Sequence, residues 1–229
     1  MKVTWLCQAG LAFENENVRI MVDPYLSDSL AARGEAFKRR QPIDEKYFDF
    51  SPNVILITHE HEDHLNMESL TRVVKNAKSP ITFLAPESCY KKLSELGAPH
   101  NYVMLNAHSV WSEKGVTFYA TRAEHSDRFA VGFIIDDGRK TYYVSGDTLY
   151  NYDVLDDVLE LVEDGVDVAF LPINGRGNNM HAKDAADFAY ELSAKSAVPV
   201  HYGLFDDIKP ESFDFEDAII LSPYEEVEL

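Results

Sequence analysis

Three histidines and an aspartate fall inside one short stretch, His59-Glu60-His61-Glu62-Asp63-His64. Imidazole nitrogen and carboxylate oxygen are the donors that divalent zinc, manganese and iron accept. A pattern of this kind arises by chance on the order of once in a thousand chains of this composition, so it reads as a metal motif rather than as a polar turn. It follows the apolar run at residues 54–57 directly. A short buried strand therefore delivers His59, His61, Asp63 and His64 into one turn ahead of the next helix. A rigid strand end can aim several donors at one point.

The same rule, a strand and then a donor, recurs downstream. His125 follows the run 116–120 within Arg122-Ala123-Glu124-His125-Ser126. Asp147 follows the run 142–145 within Ser145-Gly146-Asp147-Thr148, and His201 follows Val198-Pro199-Val200. Alone, each is weak, because a single His after a strand is more often a cap and a Gly-Asp pair more often a turn. Together they make seven donors, enough for two ions with open positions. Asp23 ends the run 18–22, where a buried carboxylate would accept a hydrogen bond from a ligand histidine; the other reading is an ordinary turn residue. His181, in Asn178-Asn179-Met180-His181, either caps a helix or lines the pocket. His100 and His108 read as surface residues.

The rest of the composition narrows the setting. The chain has 229 residues, with 21 Lys+Arg against 39 Asp+Glu, for a formal net charge of −18. Hydrophobic residues at 45% exclude a disordered acidic chain. The acidic balance argues against nucleic acid as a partner, since phosphate contact needs clustered Lys and Arg. Cys7 and Cys89 cannot form a disulfide framework, which suits a reducing compartment. No run approaches the roughly 18–20 apolar residues that span a bilayer, and the N-terminus has no signal-peptide core. The expectation is a cytoplasmic protein, with a small-molecule substrate and no membrane partner; nothing in the sequence specifies an oligomeric state.

Apolar runs of strand length recur at 3–6, 18–22, 54–57, 81–85, 103–105, 116–120, 129–135, 141–145, 168–171 and 197–200. Helical spacing marks 67–76, 86–96, 153–162 and 182–192. Asp136-Asp137-Gly138-Arg139 is a hairpin turn signal. No linker or repeat interrupts the order, so one domain over 1–229 is expected. The poorly periodic stretch 27–51 holds Lys38-Arg39-Arg40, and a loop of that length is usually functional or mobile.

These residues resemble the metallo-β-lactamase superfamily across nearly the whole chain. The resemblance rests on His59-x-His61-x-Asp63-His64, His125, Ser145-Gly146-Asp147-Thr148 and His201, in the family's order. It implies an α+β fold, the four-layer αββα sandwich, with the site at the edge between two sheets. It also implies that His59, His61 and His125 hold one metal, that Asp63, His64 and His201 hold the other, and that Asp147 bridges. Trp5-Leu6-x-Gln8-Ala9-Gly10, the segment from Val22-Asp23-Pro24 to Ser29, and Pro172-Ile173-Asn174-Gly175-Arg176 look most like the branch with ascorbate-6-phosphate lactonase. The chain is shorter than that enzyme, and Cys7 stands where a glycine is usual.

The expected activity is hydrolysis of a small ester or lactone by metal-bound hydroxide, with a phosphorylated sugar lactone as the finer expectation. One or two divalent ions, zinc or manganese with iron as a further option, are the expected cofactors. Asp63 would orient the hydroxide or manage its proton, and His181 is a candidate proton donor. A phosphorylated substrate needs a cationic clamp, for which Arg176 with Asn174 beside it is the first choice, and Lys38, Arg39 and Arg40 the second. The competing readings are a phosphodiesterase or nuclease, a di-iron oxidoreductase and a non-catalytic metal-binding protein. The −18 charge opposes the nuclease, and a histidine rather than a glutamate at position 61 opposes the di-iron oxidoreductase. A complete ligand set opposes the non-catalytic reading.

Overall fold

Three short antiparallel strands, each buried at three consecutive positions, open the chain. β1 (Lys2–Trp5), β2 (Leu11–Glu14) and β3 (Arg19–Val22) form a meander. Next to β3 come three parallel strands, β4 (Val54–Leu56), β5 (Thr82–Ala85) and β6 (Asn101–Met104). β4 and β5 are buried along their whole length, as parallel strands covered on both faces must be. The helices α1 (Met67–Asn76) and α2 (Glu87–Ser94) make the crossovers between them. The computed structural model describes residues 1–162 and 165–229. Chain contacts divide it into two compact units, and this sheet belongs to the first: residues 1–104, 203–207 and 221–229.

Leu70 and Val73 of α1, with Cys89 and Leu93 of α2, pack against Ile55, Ile57, Ile81 and Phe83 in one core. The register of β3 with β4 pairs Val22 with Leu56. Because the two strands run in the same direction, they end side by side, and Asp23 emerges beside the residues that follow β4.

The aperiodic stretch 27–51 is a set of short 3-10 turns, at Ser29–Arg33, Glu35–Phe37 and Glu45–Asp49. Arg39 staples it. Its guanidinium donates to the carbonyls of Tyr25 (3.1 Å), Ser27 (2.9 Å) and Gln41 (2.7 Å) and to the Tyr224 hydroxyl (3.1 Å). Arg40 donates to the Asp206 carbonyl and pairs with Asp207. Cys7 lies buried in a small satellite core with Tyr25, Leu30 and Leu204. Desolvation pushes its thiol pKa up, which disfavours the reactive thiolate.

The second unit, residues 105–202 and 208–220, repeats the plan on a six-stranded sheet. The meander is β7 (Val110–Glu113), β8 (Val116–Arg122), β9 (Val131–Asp136) and β10 (Thr141–Val144). Parallel β11 (Val168–Pro172) and β12 (Ser196–Val200) follow, reached through α3 (Tyr152–Leu161) and α4 (Ala182–Glu191). The expected turn between β9 and β10 forms around the Asp137 carboxylate, which accepts from the Arg139 and Lys140 amides, with Gly138 left-handed at φ 77°.

Three strands escaped the sequence reading. β2 is a four-residue strand between β1 and β3, β7 is a short partner of the longer β8, and β13 (Glu226–Glu228) is a polar edge strand paired to β1. No helix among the described residues is long and apolar enough to cross a membrane.

Asn66 ties α1 to its surroundings. Its Oδ1 caps the helix at the Ser69 amide (2.9 Å) and accepts from the hydroxyls of Ser69 (2.6 Å) and Ser27 (2.9 Å). Its Nδ2 donates to Ser29 Oγ and the Glu62 carbonyl. Removing a cap and stranding buried hydroxyls costs about 3 kcal/mol. Asn66→Ala should therefore lower the melting temperature by roughly 6–12 °C. Asn76→Ala, which removes only an exposed bond to Asp49, should cost less than about 1 kcal/mol. Paired thermal and urea denaturation curves measure both.

Candidate functional site

In the first unit the turn after β4 is tight, closed by bonds to the His61 carbonyl from the amides of His64 (3.0 Å) and Leu65 (2.7 Å). It gathers three imidazoles: the His59 ring lies 4.6 Å from that of His61 and 4.0 Å from that of His64, centroid to centroid. His59 and His64 are fully buried, while His61 and Asp63 are half-buried.

Asp23 organises this turn. It is wholly buried, in a left-handed conformation at φ 43°. Its Oδ1 accepts from the Thr58 amide (2.9 Å), and its Oδ2 from the Thr58 hydroxyl (2.6 Å) and His64 Nδ1 (2.8 Å). A carboxylate only accepts, so Thr58 spends its one proton on Asp23. His59 Nδ1, 3.0 Å from the Thr58 oxygen, must then donate to it. Both rings therefore carry hydrogen on Nδ1 and the lone pair on Nε2. Asp23 thus accepts from His64 directly and is linked to a second histidine, His59, through Thr58.

In the second unit, the chain leaving β8 reaches His125, whose Nδ1 donates to the Asn178 carbonyl at 3.2 Å. Its lone pair too is on Nε2. The turn after β10 presents Asp147, which is buried and accepts from Asn179 Nδ2 at 2.9 Å. Just past β12 comes His201, left-handed at φ 59°, with Nε2 3.3 Å from Asp147 Oδ2. The segment after β11 folds back on the Asp147 turn: the Met180 amide donates to the Thr148 carbonyl (2.9 Å), which brings in Asn178 and Asn179.

The donors in each unit are arranged for a cation. His64 Nε2 lies 3.8 Å from Asp63 Oδ2, and His125 Nε2 lies 4.0 Å from Asp147 Oδ2. Each pair sets a lone pair against a carboxylate oxygen, two acceptors that a positive ion reconciles. These separations also suit two ligands bonded to one ion at about 2.1 Å each.

Other expected residues sit differently. His181 caps α4: its Nδ1 accepts from the Asp184 amide at 3.1 Å, and its side chain is 60% exposed. Asn174 bridges to His181 across the base of the 174–181 loop, and its buried Oδ1 has no partner among the described residues. Arg176 stands exposed at the loop tip between left-handed Gly175 and Gly177. Arg39 and Arg40 are occupied within the first unit by the bonds that staple residues 27–51. His100 accepts from the Ile81 amide (3.1 Å), and His108 lies 3.3 Å from the buried Asp157 carboxylate, so both have structural partners. Thr58, Asn178 and Asn179 were not picked out from the sequence; the only signal was their place in segments already flagged.

Comparison with known proteins agrees with this arrangement. A family model described as "Beta-lactamase superfamily domain" matches residues 18–202. A UPF0173 metal-dependent hydrolase of Thermoplasma acidophilum is 30% identical over 224 residues, 93% of this chain and 89% of that protein. Among solved structures, Igni18, a metallo hydrolase of Ignicoccus hospitalis, superimposes with a TM-score of 0.80 at 22% identity, over 99% of this chain and 97% of that one. The di-iron β-hydroxylase CmlA of Streptomyces venezuelae gives 0.75 at 16% identity, over 100% of this chain and 54% of that one. These two likenesses establish the fold, two mixed sheets with flanking helices. The chain belongs to the metallo-β-lactamase superfamily and, within it, to the UPF0173 metal-dependent hydrolases.

Proposed function

We propose that this protein hydrolyses a small ester or lactone with one or two divalent ions, zinc or manganese with iron as a further option, held by His59, His61, Asp63, His64, His125, Asp147 and His201. The observation that carries the reading is the opposition of Nε2 lone pairs and carboxylate oxygens in both units, with the far nitrogens of His59, His64 and His125 already committed. Such ions supply an acidified water near neutral pH and polarise the electrophilic oxygen.

The protein's own groups do the rest. Asp23 and Thr58 hold two imidazoles in the ligand tautomer. Asp63, half-buried at the end of the turn, orients the attacking water and takes its proton. His181, with Nδ1 engaged in its cap, carries hydrogen on Nε2 and is the candidate donor to the leaving oxygen. The phosphorylated-lactone reading turns on Arg176. Its guanidinium is exposed and, among the described residues, has no partner, whereas Arg39 and Arg40 are bound to their own unit. Asn174 lies two positions away.

The deciding experiment is metal analysis of the purified protein together with a hydrolysis screen over lactones, thioesters and phosphodiesters. The expected result is divalent metal in the protein, activity on a lactone or ester, and loss of that activity to a chelator with recovery on adding zinc or manganese. Protein that stays inert with zinc, manganese and iron would sink the proposal. Asp63→Asn should lower kcat by about 10²–10⁴-fold. Asp23→Asn puts an amide donor in place of one of the two accepting oxygens, against Thr58 N on one side or Thr58 Oγ1 and His64 Nδ1 on the other, and should weaken metal binding about 10- to 100-fold, read by chelator competition. Arg176→Ala should raise KM about tenfold for a phosphorylated ester and leave its neutral analogue unchanged; equal effects on both would end the phosphate reading.

A further inference from the structure

Gln8 lies in the turn between β1 and β2, away in sequence from the histidine-bearing turn. It is buried, and its Nε2 donates to Asp63 Oδ2 at 2.9 Å across 55 positions of chain. That oxygen is the one nearest His64 Nε2. An aspartate side chain turns about two bonds. One directed hydrogen bond from a fixed donor removes most of that freedom and selects which oxygen faces the ligand histidine.

The donor is fixed by a costly backbone. Cys7 and Gln8 are consecutive left-handed residues, at φ 71° and 51°, and neither is glycine. The turn is closed by Gly10 N to Cys7 O (2.9 Å) and Leu6 N to Gly10 O (2.8 Å). Trp5 Nε1 holds the Gln8 carbonyl at 2.8 Å. A side chain at position 10 would press on the Asp23 carbonyl oxygen at 3.2 Å, so this turn packs against the residue that orients His64. Strain kept in a buried turn points to a geometric requirement there, and the Gln8 side chain carried by that turn donates to Asp63.

We infer that Gln8 is a positioning residue for Asp63: its carboxamide holds the Asp63 carboxylate in the orientation that binds metal and directs the attacking water. The inference rests on the metal-hydrolase reading above. A role in folding alone predicts a different pattern of effects, so the two can be separated.

Three variants of the full chain test it. Gln8→Met keeps length and burial but has no donor. Gln8→Asn keeps a carboxamide and tolerates the left-handed backbone, but is one methylene too short to reach Asp63. Asp63→Asn is the reference. Metal affinity is read by chelator competition, kcat and KM on whichever ester or lactone the wild type hydrolyses, and folding by the melting temperature. Both Gln8 variants should melt within a few degrees of wild type, bind metal about 10- to 100-fold more weakly and lose kcat with little change in KM. Adding Gln8→Met to Asp63→Asn should cost nothing further, because the two residues act as one unit. If the Gln8 variants match wild type in metal affinity and kcat while Asp63→Asn does not, or if the two effects add, the inference is overturned and the hydrolase reading stands. If wild type and Asp63→Asn alike bind no metal, both fall. Lower melting temperature with unchanged metal affinity would make Gln8 a folding residue and overturn the inference.

Discussion

A carboxylate buried without any exposure is expensive, and Asp23 is tolerated only because three donors converge on it. Those donors come from positions 58 and 64, at the end of a strand that begins more than thirty residues later. The bond set therefore exists only when β3 and β4 are paired in parallel and in register. A one-residue slip would turn Asp23 to the other face and strand its charge. The same bonds decide the tautomers of His59 and His64. Sheet register, a buried charge and the chemistry of two imidazoles are thus one constraint seen at three levels.

The second unit meets the same need with neutral groups. A backbone carbonyl at Asn178 sets His125, and a side-chain amide at Asn179 steadies Asp147. Both reach their targets because the loop after β11 folds back on the turn after β10. The price of these close approaches is backbone strain. Cys7, Gln8, Asp23, Asn178 and His201 all have positive φ without being glycine, at a cost of order 1–3 kcal/mol each. Cys7 falls where the superfamily resemblance leads one to expect glycine, and its φ of 71° explains the usual preference.

The strand-then-donor rule made His59, His61, Asp63, His64, His125, Asp147 and His201 legible, because apolar runs and ligand types are both one-dimensional signals. Two crossover helices were legible in the same way, since Leu70 and Val73 of α1 and Ala185, Ala186 and Ala189 of α4 are buried at helical spacing. What the sequence hid depends on pairing across the chain. Thr58 is an unremarked threonine until β3 lies beside β4. Asn178 contributes a carbonyl, which every residue has. β13 is polar, and only its partnership with β1 makes it a strand. Arg39 reads as part of a basic run, yet its guanidinium is spent on the carbonyls of its own loop.

Ring orientation fixed by protein–protein hydrogen bonds has a bearing on metal exchange. Where a small domain is folded by its metal, releasing the ion unfolds the chain. Here the Nδ1 atoms of His59, His64 and His125 are anchored by oxygen atoms of Thr58, Asp23 and Asn178, all supplied by the polypeptide. The opposite nitrogens, Nε2, keep their aim through these bonds alone. On the metal reading proposed above, such a site would be able to trade one divalent ion for another without unfolding the chain.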